Sequence, residues 1–192
     1  MSPAIDAVAA MSSLLAVAVA ALMSALITWT SRPLLQRYAL ARPNARSSHR
    51  IPTPQGAGIA VITATLLVAS AWAAWANLAI PPALIIATIV IALVGFADDI
   101  VSLPVLVRLA LQAACVGAVV FTAPEAARIV PALPLALERG LILFAGVWFV
   151  NLVNFMDGLD LMTVAEVVPV TAALLLLGLL GDLSWPAALI AT

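Results

Sequence analysis

The sequence predicts an all-α fold, a polytopic transmembrane helix bundle of six spans with the start of a seventh, and three observations carry that expectation. Sixty-five per cent of the 192 residues are hydrophobic and nine per cent charged, a balance that only lipid can solvate in a chain of this size. The apolar residues fall into separate stretches of roughly twenty, the length of helix that crosses a hydrocarbon core of about 30 Å. The thirteen prolines and nine glycines would be hard to fit into a water-soluble helical bundle, but in membrane helices they mark ends, kinks and close contacts.

The expected spans run from Val8 to Trp29, Gly58 to Ala76, Pro82 to Ala97, Val105 to Ala123, Gly140 to Phe155 and Val164 to Leu180. A further element starts at Trp185, and the remaining residues at about 1.5 Å each reach less than halfway across. The first span has no basic region before it, carries Asp6 instead, and is longer than a secretory core, so it reads as a retained anchor. Residues 1–192 thus form one transmembrane domain, with residues 31–57 as its first cytoplasmic loop. Cys115 is the only cysteine, which excludes an internal disulfide and a thiolate cluster and leaves a small apolar packer in mid-helix.

Charge sets the expected orientation. All eight basic residues are arginines. Arg32, Arg37, Arg42, Arg46, Arg50 and Arg108 lie on one side of the bundle, and Arg128 and Arg139 on the other. Positive loops stay inside, so the first loop faces the cytoplasm, the amino terminus is periplasmic, and the turns after spans one, three and five face inward. The outer turns, punctuated by Pro81-Pro82 and by Pro131 and Pro134, read as structural.

Nearly all the unusual polar residues sit in the three inward turns. The first, from Arg42 to Gly58, combines arginines, hydroxyls, the only histidine, His49, and the glycines Gly56 and Gly58. Its arginines can be topology-setting charge, or, with His49, an anion site, since guanidinium groups suit phosphate. Gly56 and Gly58 allow the main chain to approach a bulky ligand. The second turn holds Asp98 and Asp99 at the inner end of an otherwise apolar helix. Adjacent carboxylates there either end the helix at the interface, against its macrodipole, or are held by something cationic such as a divalent metal. The third turn carries Asn151, Asn154, Asp157 and Asp160. The amides, three apart on one face, can glue helices or bind ligand. Two amides with two carboxylates make an oxygen-rich set suited to Mg²⁺, for which Mn²⁺ is an allowed substitute.

These blocks resemble one family. Asn44-Ala-Arg-Ser-Ser-His49 and Pro54-Gln-Gly-Ala-Gly58, Gly95-Phe-Ala-Asp-Asp99 with Leu103-Pro104 and Arg108-Leu-Ala-Leu-Gln112, and Asn151-Leu-Val-Asn-Phe-Met-Asp-Gly-Leu-Asp160 occur in the order seen in the polyprenyl-phosphate N-acetylhexosamine-1-phosphate transferases, glycosyltransferase family 4. The Asn-Phe-Met-Asp-Gly wording is most similar to the branch that starts O-antigen and related surface polysaccharides. The resemblance implies transfer of an N-acetylhexosamine-1-phosphate from a UDP-sugar to undecaprenyl phosphate, with release of UMP, at the cytoplasmic face of a bacterial inner membrane. It begins lipopolysaccharide or cell-wall glycan assembly, with membrane lipid and no nucleic acid as partner and a homodimer left open.

By the same resemblance Asp98, Asp99, Asp157 and Asp160 are catalytic, Asp98 being the proton acceptor. Asp99, Asp157 and Asp160 hold the metal, and Asn151, Asn154, His49, Arg46, Gly56 and Gly58 contact substrate. Gln55, Ala57 and Leu161-Met162-Thr163 depart from the usual pattern. The family's later spans supply a further aspartate in a Met-Gly-Asp-x-Gly-Ser pattern and a His/Arg-rich loop that do not occur here, so the chain reads as the front portion of such a protein, a fragment or part of a split one. An inactive remnant or partner subunit is one alternative, and a proton-coupled transporter another. Carboxylates at helix ends rather than mid-bilayer, without an inverted repeat, argue against transport.

Overall fold

The structure, a computed structural model, describes residues 3–38, 40–41, 53–54, 56–156 and 162–179. Among the described residues there are six α-helices: α1 (Pro3–Tyr38), α2 (Gly58–Trp75), α3 (Pro82–Val101), α4 (Val105–Thr122), α5 (Leu135–Met156) and α6 (Met162–Leu179). The first five are long and apolar enough to cross a membrane, and α6 overlays the sixth expected span as far as Leu179. The element expected to start at Trp185 lies outside the described residues. Each helix packs chiefly on the next in sequence, most extensively α1 on α2, with α6 touching α5 only lightly.

The packing is that of a protein dissolved in lipid. Its buried apolar side chains among the described residues are Ala60, Ala64, Ala73, Ala87 and Cys115, while bulky groups such as Leu106, 79% exposed, face outward. A leucine gains nothing by leaving a hydrocarbon solvent for a protein interior, so helix contacts favour small residues that let the backbones approach. Gly146 of α5 shows how close. A Cβ built there would stand 2.7 Å from Cγ1 of Val116 on α4, so only glycine fits this crossing.

Helix ends follow local chemistry. Asn77 takes a left-handed conformation (φ 55°) after α2, with its N–H donating to the Ala74 carbonyl and the Leu78 N–H to the Ala73 carbonyl. This pair of bonds closes the helix. Pro82 then opens α3 at a position where a missing N–H costs nothing. Between α1 and α2, Leu40–Ala41 pairs antiparallel with Thr53–Pro54, Leu40 opposite Pro54 and Ala41 opposite Thr53. Gly56 follows at φ +85°, and a Cβ there would lie 2.9 Å from the Phe96 ring and 3.4 Å from Leu35. The base of the first loop is therefore wedged between α1 and α3.

Three helices outrun the expected spans by four residues or more. α1 continues past Trp29 through Pro33 to Tyr38, so Arg32 and Arg37 lie on the helix. Pro33 removes one backbone bond but does not end the helix, and 36 residues at about 1.5 Å each make it roughly 54 Å long, beyond a hydrocarbon core of about 30 Å. α3 runs four residues past Ala97 to include both aspartates, and α5 starts five residues before Gly140. The early start of α5 is bought by Glu138, only 3% exposed. Its carboxylate accepts from the Ile129 and Val130 N–H groups at 2.7 and 2.8 Å and from Arg128 Nε at 2.7 Å. Arg128 also donates to the Leu133 carbonyl, and Arg139 to that of Ala123. The α4–α5 connection is thus tied to the first turns of α5, as its structural reading from sequence expects.

Replacing Gly146 by leucine should overpack the α4–α5 crossing at a cost of about 1–3 kcal/mol, read as an unfolding temperature several degrees lower in detergent. Adding Val116→Ala should recover most of the loss. Unchanged stability of the single variant would show that the crossing is not close-packed.

Candidate active site at the α3–α4 turn

The two aspartates occupy the last turn of α3, and the helix points them apart. Asp98 is half-buried and turned to α4, whereas Asp99 is exposed. Asp98 Oδ2 accepts from Arg108 Nη1 at 2.5 Å, and Oδ1 accepts from the Leu103 N–H at 2.8 Å. Ser102, in the left-handed region at φ 49°, ends the helix with its N–H on the Asp98 carbonyl. Pro104 then starts α4. One residue therefore holds the reversal with its main chain and with both carboxylate oxygens. The cation expected beside the aspartate pair is, for Asp98, an arginine of the chain itself.

Arg108 stands one helical turn before Gln112, and the two are the only charged or amide side chains of α4. Gln112 is 5% exposed. Its Oε1 accepts from Asn151 Nδ2 at 2.8 Å, and the same Nδ2 donates to the Val147 carbonyl at 2.8 Å. Asp98, Arg108, Gln112 and Asn151 thus run as a polar thread across α3, α4 and α5 toward one end of the bundle. The Gly146–Val116 crossing lies about one turn away along both helices and brings the backbones close enough for the amides to meet. Beside the thread opens an apolar groove of about 440 Å³ lined by Leu109, Phe144, Val147, Trp148, Asn151 and Leu152.

The sequence-predicted residues divide into three groups. Asp98 and Asn151 each bond a residue of α4, Arg108 and Gln112 one turn apart, and Asp99 and Asn154 are exposed on α3 and α5. Gly56 makes its close approach to Phe96, two residues before Asp98, while Gly58 has open space around it. Arg46, His49, Asp157 and Asp160 lie outside the described residues. Among those described, no group of three or more His, Cys, Asp or Glu side chains is placed to hold a metal. Arg108 and Gln112 carry the thread, yet the sequence reading gave them no place in the site, counting Arg108 as topology-setting charge and both as part of the block that resembles the family. Their signal was available: two polar side chains four apart on an otherwise apolar helix share one face.

The pattern of glycosyl transferase family 4 matches residues 81–192. The chain belongs to this family. The matched segment takes in α3 to α6 with both aspartates, both asparagines, Asp157 and Asp160, and starts after the first loop with Arg46, His49, Gly56 and Gly58. Membership makes it a multi-pass membrane protein of a class that joins a sugar 1-phosphate from a nucleotide sugar to a polyprenyl phosphate, generally with a divalent metal. No curated protein and no solved structure matches the chain.

The ion pair is checked by Arg108→Met, which keeps the stem and removes the charge. With side chains only 23% and 18% exposed, the unpaired Asp98 should cost about 1–3 kcal/mol, lowering the unfolding temperature. Asp98→Asn in the same background should add little. Additive losses in the double variant would mean that the two side chains do not act on each other.

Proposed function

We propose that the chain carries the active site of an N-acetylhexosamine-1-phosphate transferase that uses a UDP-sugar and undecaprenyl phosphate and releases UMP, the first step of O-antigen or cell-wall glycan assembly on the cytoplasmic side of a bacterial inner membrane. The observation that carries the reading is the polar thread from Asp98 to Asn151 beside the exposed Asp99, inside the family-matched segment and next to an apolar groove. Such a juxtaposition suits a substrate that is anionic at one end and hydrocarbon at the other.

In this reaction an oxygen of the lipid phosphate attacks the phosphorus that bears the sugar. A new phosphoanhydride P–O bond forms and the bond to UMP breaks, its electron pair leaving with UMP. One anhydride replaces another, so the protein's task is to place two polyanions in line and offset their repulsion. A phosphomonoester has a second pKa near 6 and is largely dianionic at neutral pH, so its attacking oxygen needs no strong base. Asp98 accordingly acts by holding the α3–α4 turn and Arg108, in addition to the proton-accepting role that the resemblance implies.

In this reading Asp99, Asp157 and Asp160 share the metal–phosphate group, and the exposure of Asp99 supports its part in it. Mg²⁺ binds through one or two carboxylates plus phosphate oxygens, which this donor set can supply, and when bound it neutralises phosphate charge. Asn151 and Asn154 orient the nucleotide sugar, and Arg46 and His49 bind its phosphates, with Gly56 and Gly58 at the base of their loop.

The test is UMP release from UDP-N-acetylglucosamine and undecaprenyl phosphate by the chain in lipid. Asp99→Asn should lower the rate about 100-fold or more, as loss of an electrostatic contact to the transition state does. A near-parental rate in that variant refutes the assignment. Binding of undecaprenyl phosphate without UMP release identifies a lipid-binding partner subunit instead.

A further inference from the structure

Asn151 has a side-chain amide whose orientation is decided by its surroundings. Its NH₂ group has two hydrogens, and both are engaged, one by the Val147 carbonyl and one by Gln112 Oε1, each at 2.8 Å. A main-chain carbonyl can only accept, so turning the amide end for end would set two carbonyl oxygens against each other. The Val147 carbonyl thereby fixes Asn151, and Asn151 fixes which end of Gln112 faces it. Gln112 is almost wholly buried and packs in the α4–α5 seam next to Cys115. One turn earlier on the same helix Arg108 is held by Asp98.

We propose that Gln112 is a positioning residue that locks the Asn151 amide, so that what Asn151 offers a ligand at the groove it lines is its carbonyl oxygen Oδ1 and never its NH₂. The Asn151 subsite therefore takes an N–H or O–H hydrogen of the nucleotide sugar and turns away phosphate oxygens; the groove's other lining side chains, Leu109, Phe144, Val147, Trp148 and Leu152, supply no further oxygen ligands for a cation. The ligand half of this inference rests on the transferase reading. The lock does not.

The alternative role for Gln112 is plain packing, and the two differ in what a glutamate would do. Gln112→Glu keeps an acceptor oxygen for the Asn151 NH₂, whereas Gln112→Leu keeps only the bulk. With asparagine side chains ¹⁵N-labelled in the full chain in lipid, the Asn151 amide hydrogens should exchange slowly in the parent and in Gln112→Glu, and fast in Gln112→Leu. Fast exchange in the parent, or equal exchange in the two variants, overturns the lock. Binding is read with Mn²⁺ alone and with UDP-N-acetylglucosamine in the absence of metal. Gln112→Leu should weaken binding of the sugar nucleotide about tenfold and Gln112→Glu by no more than about twofold, the scale of one orienting hydrogen bond. The double variant Gln112→Leu/Asn151→Leu should bind no worse than Asn151→Leu alone. A loss confined to the sugar nucleotide assigns Oδ1 to a donor hydrogen, and a loss with Mn²⁺ alone overturns that assignment. Equal weakening by leucine and glutamate, or additive losses in the double variant, shows that Gln112 acts by packing. A chain that binds neither probe sinks the transferase reading and the ligand half of this inference together, while slow exchange of the amide still stands or falls by itself.

Discussion

The Asp98 carboxylate governs the geometry of the α3–α4 turn, on which the described part of the site is built. An acidic group in the last turn of a helix faces the negative end of the macrodipole, and an arginine in the first turn of the next helix faces the positive end. Each placement is unfavourable alone. Set 2.5 Å apart, Asp98 and Arg108 cancel both mismatches, and the second Asp98 oxygen takes the Leu103 N–H that the reversal exposes. The α3–α4 turn is thereby held in one shape without any large buried side chain, and the position of Arg108 fixes where Gln112 emerges one turn further along.

Small residues complete what that pair begins. Because lipid removes the incentive to bury leucine, helix contact depends on surfaces that fit closely, and the described core consists of alanines and a cysteine. The Gly146–Val116 crossing brings α4 and α5 near enough for two amides to bond across the seam. Gly56 does the same for the first loop, whose base sits on Phe96 within one helical turn of both aspartates. Close packing and polar bonding are thus one device here, since amides in an apolar seam are stable only when each meets its partner.

Much of this was legible in the sequence, and the rest was hidden for identifiable reasons. Hydropathy locates the helices because it is a local property. Their ends escaped it wherever a charge is satisfied at a distance. A reading that halts a span at its first charged residue stops at Ala97 and starts at Gly140, whereas α3 carries on through Asp98 and α5 begins before Glu138. In both cases an arginine ten residues away supplies the partner, by way of a turn that local hydropathy does not reveal. The left-handed Ser102 and the packing of Gly56 on Phe96 are tertiary facts of the same kind. The candidate site was visible as three polar blocks; the residues that connect two of them, Arg108 and Gln112, were visible only as a spacing.

Helix geometry also explains why two adjacent aspartates do different things. Successive residues on an α-helix point about 100° apart, so Asp98 and Asp99 cannot both face α4. The observed division follows: Asp98 is drawn to Arg108 and the turn, while Asp99 is left on the exposed side. An exchange of one phosphoanhydride for another, with a nucleophile already ionised, asks for rigid placement and charge compensation more than for proton transfer. A pair of neighbouring carboxylates in which one stiffens the scaffold and the other stands exposed is suited to that demand in the proposed reaction. The same two residues on a strand would point to opposite faces, and the link between the turn and the exposed carboxylate would be lost.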